Sequence, residues 1–172
     1  MTPVWRGRRP DTGDAVEVLA ERGRVTEIRT LAESSPEPLP WISPGWIDLQ
    51  VNGFGGYDFN GETTAAEDLD GATRALYRHG VARYLPTVIT GSFGRMSRAF
   101  AAIGAYARSG RIGAASILGI HMEGPYLSEV DGSRGAHPKE HIRNPDWAEF
   151  QELQHAAGGL IRMVTIAPER PG

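Results

Sequence analysis

A chain of 172 residues, 40% hydrophobic and 23% charged, has the composition of an ordinary globular protein, with room for one domain or one plus a small appendage. Its net charge of −3 gives no electrostatic basis for binding nucleic acid or an anionic membrane, and no stretch approaches the ~18 apolar residues of a membrane span. The absence of cysteine excludes a disulfide framework and thiolate metal ligands and suits a cytoplasmic protein.

Met1 to Pro10 carries three arginines with no apolar run behind them, so it does not read as a signal peptide. Val16–Ala20 and Val25–Ile28 alternate in polarity around Arg22-Gly23, a hairpin signal. Ser34 to Pro40 contains three prolines and reads as a linker. Residues 1–44 hold too few large apolar side chains to bury a core alone.

The character changes at Pro44. Trp46–Val51 reads as a strand, followed by the glycine-rich Asn52-Gly53-Phe54-Gly55-Gly56. Thr64-Ala65-Ala66-Glu67 has capping-box form, and Leu69, Ala72 and Leu76 give the helix after it an apolar face that ends at Gly80. Tyr84–Ile89 is a second strand, interrupted by Pro86. Ser92 caps a second helix with Met96, Ala99, Phe100, Ile103 and Ala107 on one face, closed by Gly110. Ile117–Met122 is a third, buried strand. Asn144-Pro145 looks like an N-cap with proline at the first helical position, and Trp147, Phe150, Leu153 and Ala157 form the stripe of that helix. Met163–Ile166 is a fourth strand. The order βαβαβαβ predicts parallel strands joined by right-handed crossovers. Doubly wound sheets and eight-stranded barrels both begin this way.

Strand residues two apart share a face, so Gln50 pairs with Asn52 and His121 with Glu123, each at a strand's C-terminal end. Ligands and catalytic groups of parallel α/β folds gather at those ends. His121 is a metal ligand or a core histidine with its hydrogen bonds satisfied. Glu123 is a metal ligand or a carboxylate that caps backbone N–H groups of the next loop. Among Gly135, Pro138 and Lys139, His137 reads on local chemistry as a surface-loop histidine.

Pro44-Gly45-Trp46-Ile47-Asp48 resembles the first barrel strand of the amidohydrolase superfamily. His121-Met122-Glu123-Gly124-Pro125-Tyr126-Leu127, with Gly135-Ala136-His137 behind it, resembles one family within it, the N-acetylglucosamine-6-phosphate deacetylases. The blocks 52–60, 84–87 and 164–169 fit the same family in the same order. The resemblance implies the N-terminal half of a (β/α)8 barrel over 45–172, preceded at 1–44 by part of a small β-sandwich. It implies hydrolysis of the acetamide of a phosphorylated amino sugar by a metal-activated water, giving glucosamine 6-phosphate and acetate. Glu123 then matches the family's carboxylate metal ligand, His137 matches the histidine at the acetyl carbonyl with Ala136 beside it at the substrate, and Gln50 and Asn52 surround the metal-bound water. The divalent ion is expected to be zinc, with iron or another divalent ion as alternatives.

Two departures qualify these expectations. Gln50-x-Asn52 stands where the superfamily has His-x-His, and neutral amides are poor zinc ligands; the family it resembles includes members with these two residues here, and that resemblance implies a single-metal site. A whole barrel needs ~250 residues, and the family's two histidine ligands and general-base aspartate are expected beyond Gly172. The 172 residues alone are therefore expected to be inactive, with a non-catalytic half-barrel module as one alternative and an amidohydrolase for another N-acyl or cyclic amide as the other. Open strand edges at Trp46–Val51 and Met163–Ile166, with Leu49, Val51, Val88 and Ile120 exposed on the barrel side, predict a homo-oligomer.

Overall fold

The computed structural model describes residues 3–32 and 38–172, so residues 34–37 of the expected linker lie outside the described part. The chain forms two compact units, Met1–Pro44 and Gly45–Gly172.

In the first unit, β1 (Val4–Arg8), β2 (Ala15–Glu21) and β3 (Arg24–Thr30) form an antiparallel sheet in that order. Arg22 and Gly23 carry the β2–β3 turn with φ of 50° and 75°. Two positive φ values match the strands' twist at a tight hairpin. The buried apolar side chains of these strands are Ala15, Val16 and Ala20, while every residue of β3 is exposed. β1 has no alternation legible in the sequence, because Gly7 and two arginines break its pattern.

The second unit is built on β4 (Trp46–Val51), the two-residue strands β5 (Gly53–Phe54) and β6 (Tyr57–Asp58), α1 (Ala66–Arg78), β7 (Val81–Ile89), α2 (Phe93–Ala107), β8 (Ile120–Glu123), α3 (Trp147–Ala156) and β9 (Ile161–Thr165). β4, β7, β8 and β9 pair in parallel, in sequence order. Their order never reverses, so these strands contain no switch point of the kind that defines a doubly wound sheet. Leu69, Ala72 and Leu76 of α1 and Met96, Phe100 and Ile103 of α2 pack with Tyr84, Val88, Ile120 and Met122 in one core.

Several expectations shift under tertiary packing. Thr64 does not cap α1. Its hydroxyl bonds the Phe59 carbonyl at 3.0 Å, and Asp68 instead reaches back to the Ala65 N–H at 3.1 Å. Asp146, rather than Asn144, caps α3, accepting the Glu149 N–H at 3.0 Å. Trp147 is 70% exposed and stacks on Phe150 instead of entering the core. Pro86 does not interrupt β7. Beside it the Val51 N–H donates to the Thr87 hydroxyl at 3.1 Å, so the β4 backbone is tied to β7 through a side chain at this point. Ile117 makes only an isolated bridge to Tyr84, so β8 begins later than the apolar run suggests. Val51, Val88 and Ile120 are buried beneath the helices, not exposed on the opposite face; only Leu49 of that set is exposed. A register shift in β4 moves Val51 opposite Pro86, and parity along β7 and β8 sets Val88 and Ile120 on the helix side.

Candidate functional site

Three of the parallel strands end on polar residues, and those ends converge. Asn52, just past β4, donates through Nδ2 to Glu123 Oε2 at 3.2 Å. Thr90, just past β7, lies 2.9 Å through Oγ1 from His137 Nδ1. His137 Nε2 is 3.8 Å from Glu123 Oε1, and both side chains are 18% exposed. A cavity of about 470 Å³ opens here, lined by Gln50, Asn52, Glu123, Ala136, His137 and Thr165 among others. Five of the six residues singled out from the sequence, Gln50, Asn52, Glu123, Ala136 and His137, therefore meet at one place.

His137 arrives from the long loop after β8. Gly135, at φ 61°, turns the chain there, and Arg134 Nη1 donates to the His137 carbonyl at 2.7 Å. Gly124 follows Glu123 at φ 83°, where a Cβ would run into Thr90 Oγ1. The glycine lets β8 end against the hydroxyl that holds His137.

His121 takes the core reading. It is buried, its Nε2 lies 2.7 Å from Thr165 Oγ1 and its Nδ1 3.4 Å from Thr87 Oγ1. Burial pushes its pKa below 6.5, opposed by the Glu123 carboxylate. It is committed to the sheet, not to the cavity.

A catalytic zinc takes three protein ligands. Glu123 and His137 face each other, but among the described residues no group of three His, Cys, Asp or Glu side chains could hold a metal ion. A complete ligand set does not fit within these residues; Glu123 alone offers a free carboxylate edge, with its other oxygen bonded by Asn52.

Sequence reasoning passed over Thr90, Arg95 and Thr165. A hydroxyl residue at or directly after the C-terminal end of a parallel strand, as at Thr165 and in Ile89-Thr90-Gly91, was the available signal for the two threonines.

The geometry can be set beside known proteins. No protein-family model matches the chain. It is 37% identical over 134 residues to the N-acetylglucosamine-6-phosphate deacetylase of Bos taurus, covering 74% of this chain and 31% of that protein. It is 38% identical over 130 residues to the deacetylase of the same name in Bacillus subtilis, covering 74% and 32%. The structure of the Mycobacterium smegmatis deacetylase in complex with N-acetyl-D-glucosamine-6-phosphate superposes with a TM-score of 0.78 at 28% identity, over 99% of this chain and 45% of that one. The chain is a relative of the N-acetylglucosamine-6-phosphate deacetylases. A neighbouring sugar specificity occurs among its relatives: the N-acetylgalactosamine-6-phosphate deacetylase of Escherichia coli O157:H7 is 33% identical over the whole chain and 46% of its own length. The chain spans between about a third and a half of the length of the deacetylases it matches.

Proposed function

We propose that the chain is the part of a metal-dependent amino-sugar-phosphate deacetylase that carries its carboxylate ligand and its acetyl-carbonyl contact. The reaction is hydrolysis of N-acetylglucosamine 6-phosphate to glucosamine 6-phosphate and acetate. The observation that carries this reading is the convergence of Asn52, Glu123 and His137 at the C-terminal strand ends. In it Glu123 binds the divalent ion, zinc or alternatively iron or another divalent ion. His137, flanked by Ala136, polarises the acetyl carbonyl and stabilises its developing charge. Gln50 and Asn52 act around the metal-bound water, and the Asn52–Glu123 bond orients the ligand. The sequential strand order supports a barrel that further strands would complete, and residues 1–44 would form part of a β-sandwich. The donor set among the described residues is incomplete, so this reading requires further ligands beyond them.

The Escherichia coli relative favours a second specificity, for the galacto epimer of the same substrate. One experiment addresses both. The chain alone, and a chimera joining it at Gly172 to the remaining segment of the Bacillus subtilis deacetylase, are assayed for bound metal and for acetate release from each epimer. The chimera should bind metal and hydrolyse one epimer preferentially, while the chain alone does neither. A folded, metal-loaded chimera that releases no acetate would sink the deacetylase reading.

A further inference from the structure

The hydroxyl of Thr90 lies between two groups and has one hydrogen to give. It is 2.9 Å from His137 Nδ1 and 3.3 Å from the backbone carbonyl of Glu123. If the hydrogen goes to the carbonyl, Nδ1 must carry the ring proton of neutral His137, and the Nε2 lone pair faces a carboxylate oxygen 3.8 Å away. If it goes to Nδ1, the proton sits on Nε2 and faces that carboxylate attractively. Charge and the shorter distance favour the same choice.

We propose that Thr90 is a positioning residue that donates to His137 Nδ1 and fixes the ring as its Nε2–H tautomer, with that proton aimed at the cavity beside Glu123. This deepens the reading of His137 as the carbonyl contact and rests on it for its catalytic meaning: only Nε2–H can donate to a carbonyl oxygen.

The surroundings give Thr90 little freedom. It is 1% exposed. Arg95 Nη2 donates to the carbonyls of Ile89 at 2.7 Å and Thr90 at 3.0 Å, and Arg143 Nη1 donates to the carbonyl of Gly91 at 3.2 Å. Asn60 Oδ1 accepts the Ile89 N–H at 2.8 Å, so the backbone is held on both sides of the strand end. A hydroxyl fixed this firmly can select a tautomer, because rotating it away would leave a mostly buried ring nitrogen unpaired.

The test is long-range ¹H–¹⁵N correlation on the ¹⁵N-labelled 172-residue chain, at a pH where His137 is neutral. In the wild type, Nε2 should resonate as the protonated nitrogen and Nδ1 as the unprotonated one. Thr90→Ser should keep that pattern, and Thr90→Val should lose it to the Nδ1–H form or to a mixture. A wild-type Nδ1–H tautomer overturns the proposal, as does a Thr90→Val spectrum identical to the wild type. If Thr90→Val does not fold, the wild-type tautomer and its retention in Thr90→Ser decide. None of these readings depends on turnover, so a failed deacetylase assignment would leave the tautomer result standing, and the reverse.

Discussion

Glu123 and His137 differ in what each would cost to lose, and that difference separates their roles. Within the Bacillus subtilis chimera, Glu123→Gln removes the charge of the carboxylate proposed to bind the metal, so bound metal and acetate release should both disappear. Wild-type metal content in that variant, measured by atomic emission, would contradict the ligand role. His137→Ala should leave metal content unchanged and lower kcat by ~10²–10³, the range for losing one oxyanion donor. An unaltered kcat returns His137 to the loop. A third residue reports on the core instead. The Tyr84 phenol is fully buried and donates to Thr73 Oγ1 at 2.8 Å, the Thr73 hydrogen being directed to the Leu69 carbonyl. Burial raises its pKa from 10.0 to about 12. The unfolded chain loses this proton first. Stability from Tyr84 is therefore complete below pH 10 and is lost as pH rises through about 12. Denaturant midpoints should fall over that window, and Tyr84→Phe should flatten the fall.

At the scale of elements, the site depends on how the ends of β4 and β7 are tied. Asn60 does this with one side chain. Its Nδ2 donates to the carbonyls of Asn52 at 3.1 Å and Thr87 at 2.9 Å, and its Oδ1 accepts from the Ile89 N–H. Asn52 in turn bonds Glu123, and the Ile89–Gly91 segment carries Thr90. Asn60→Ala removes all three bonds; the Asn52 carbonyl keeps the Phe59 N–H at 3.2 Å, while the Thr87 carbonyl and the Ile89 N–H lose their Asn60 partner. Even one buried group left unpaired costs about 1–3 kcal/mol. The unfolding free energy from urea titration should drop by an amount in or above that range, through a lower midpoint at unchanged slope, since the surface exposed on unfolding is nearly the same. A drop below about 0.5 kcal/mol, the size of an ordinary surface substitution, would mean that water replaces Asn60 without loss.

For the whole molecule, the parallel sheet has β4 and β9 at its two edges. Trp46, Ile47 and Leu49 on β4 and Ile166 just past β9 are exposed. Unpaired apolar edges attract other chains, and symmetric association is the commonest way to close them. The 172-residue chain is therefore expected to be a dimer or larger in solution. Multi-angle light scattering that finds a cooperatively folding monomer at micromolar concentration refutes this. The barrel-side exposure that first suggested association is narrower than the sequence implied, because Val51, Val88 and Ile120 belong to the helix-packed core.

Much of this was written locally. The apolar spacing of Leu69, Ala72 and Leu76, and of Met96, Phe100 and Ile103, fixed two helices and their buried faces, because a 3.6-residue period leaves one face to hide. Glu123 at a strand end before Gly124 marked the site, since a carboxylate there needs a partner. Other features depend on atoms far apart in the chain. Thr64 gives its hydroxyl to the Phe59 carbonyl instead of capping α1, and Asp146, in place of Asn144, accepts the Glu149 N–H. Trp147 has the spacing of a core residue but is exposed and stacks on Phe150. Thr90 meets His137 across 47 positions of sequence and Asn52 meets Glu123 across 71. Sequence by itself determined which segments become helix or strand and which residue types could do chemistry, because those follow from period and side-chain type. Only the tertiary structure decided which polar groups pair, because a hydrogen bond is set by distance in space and local pattern carries no record of it.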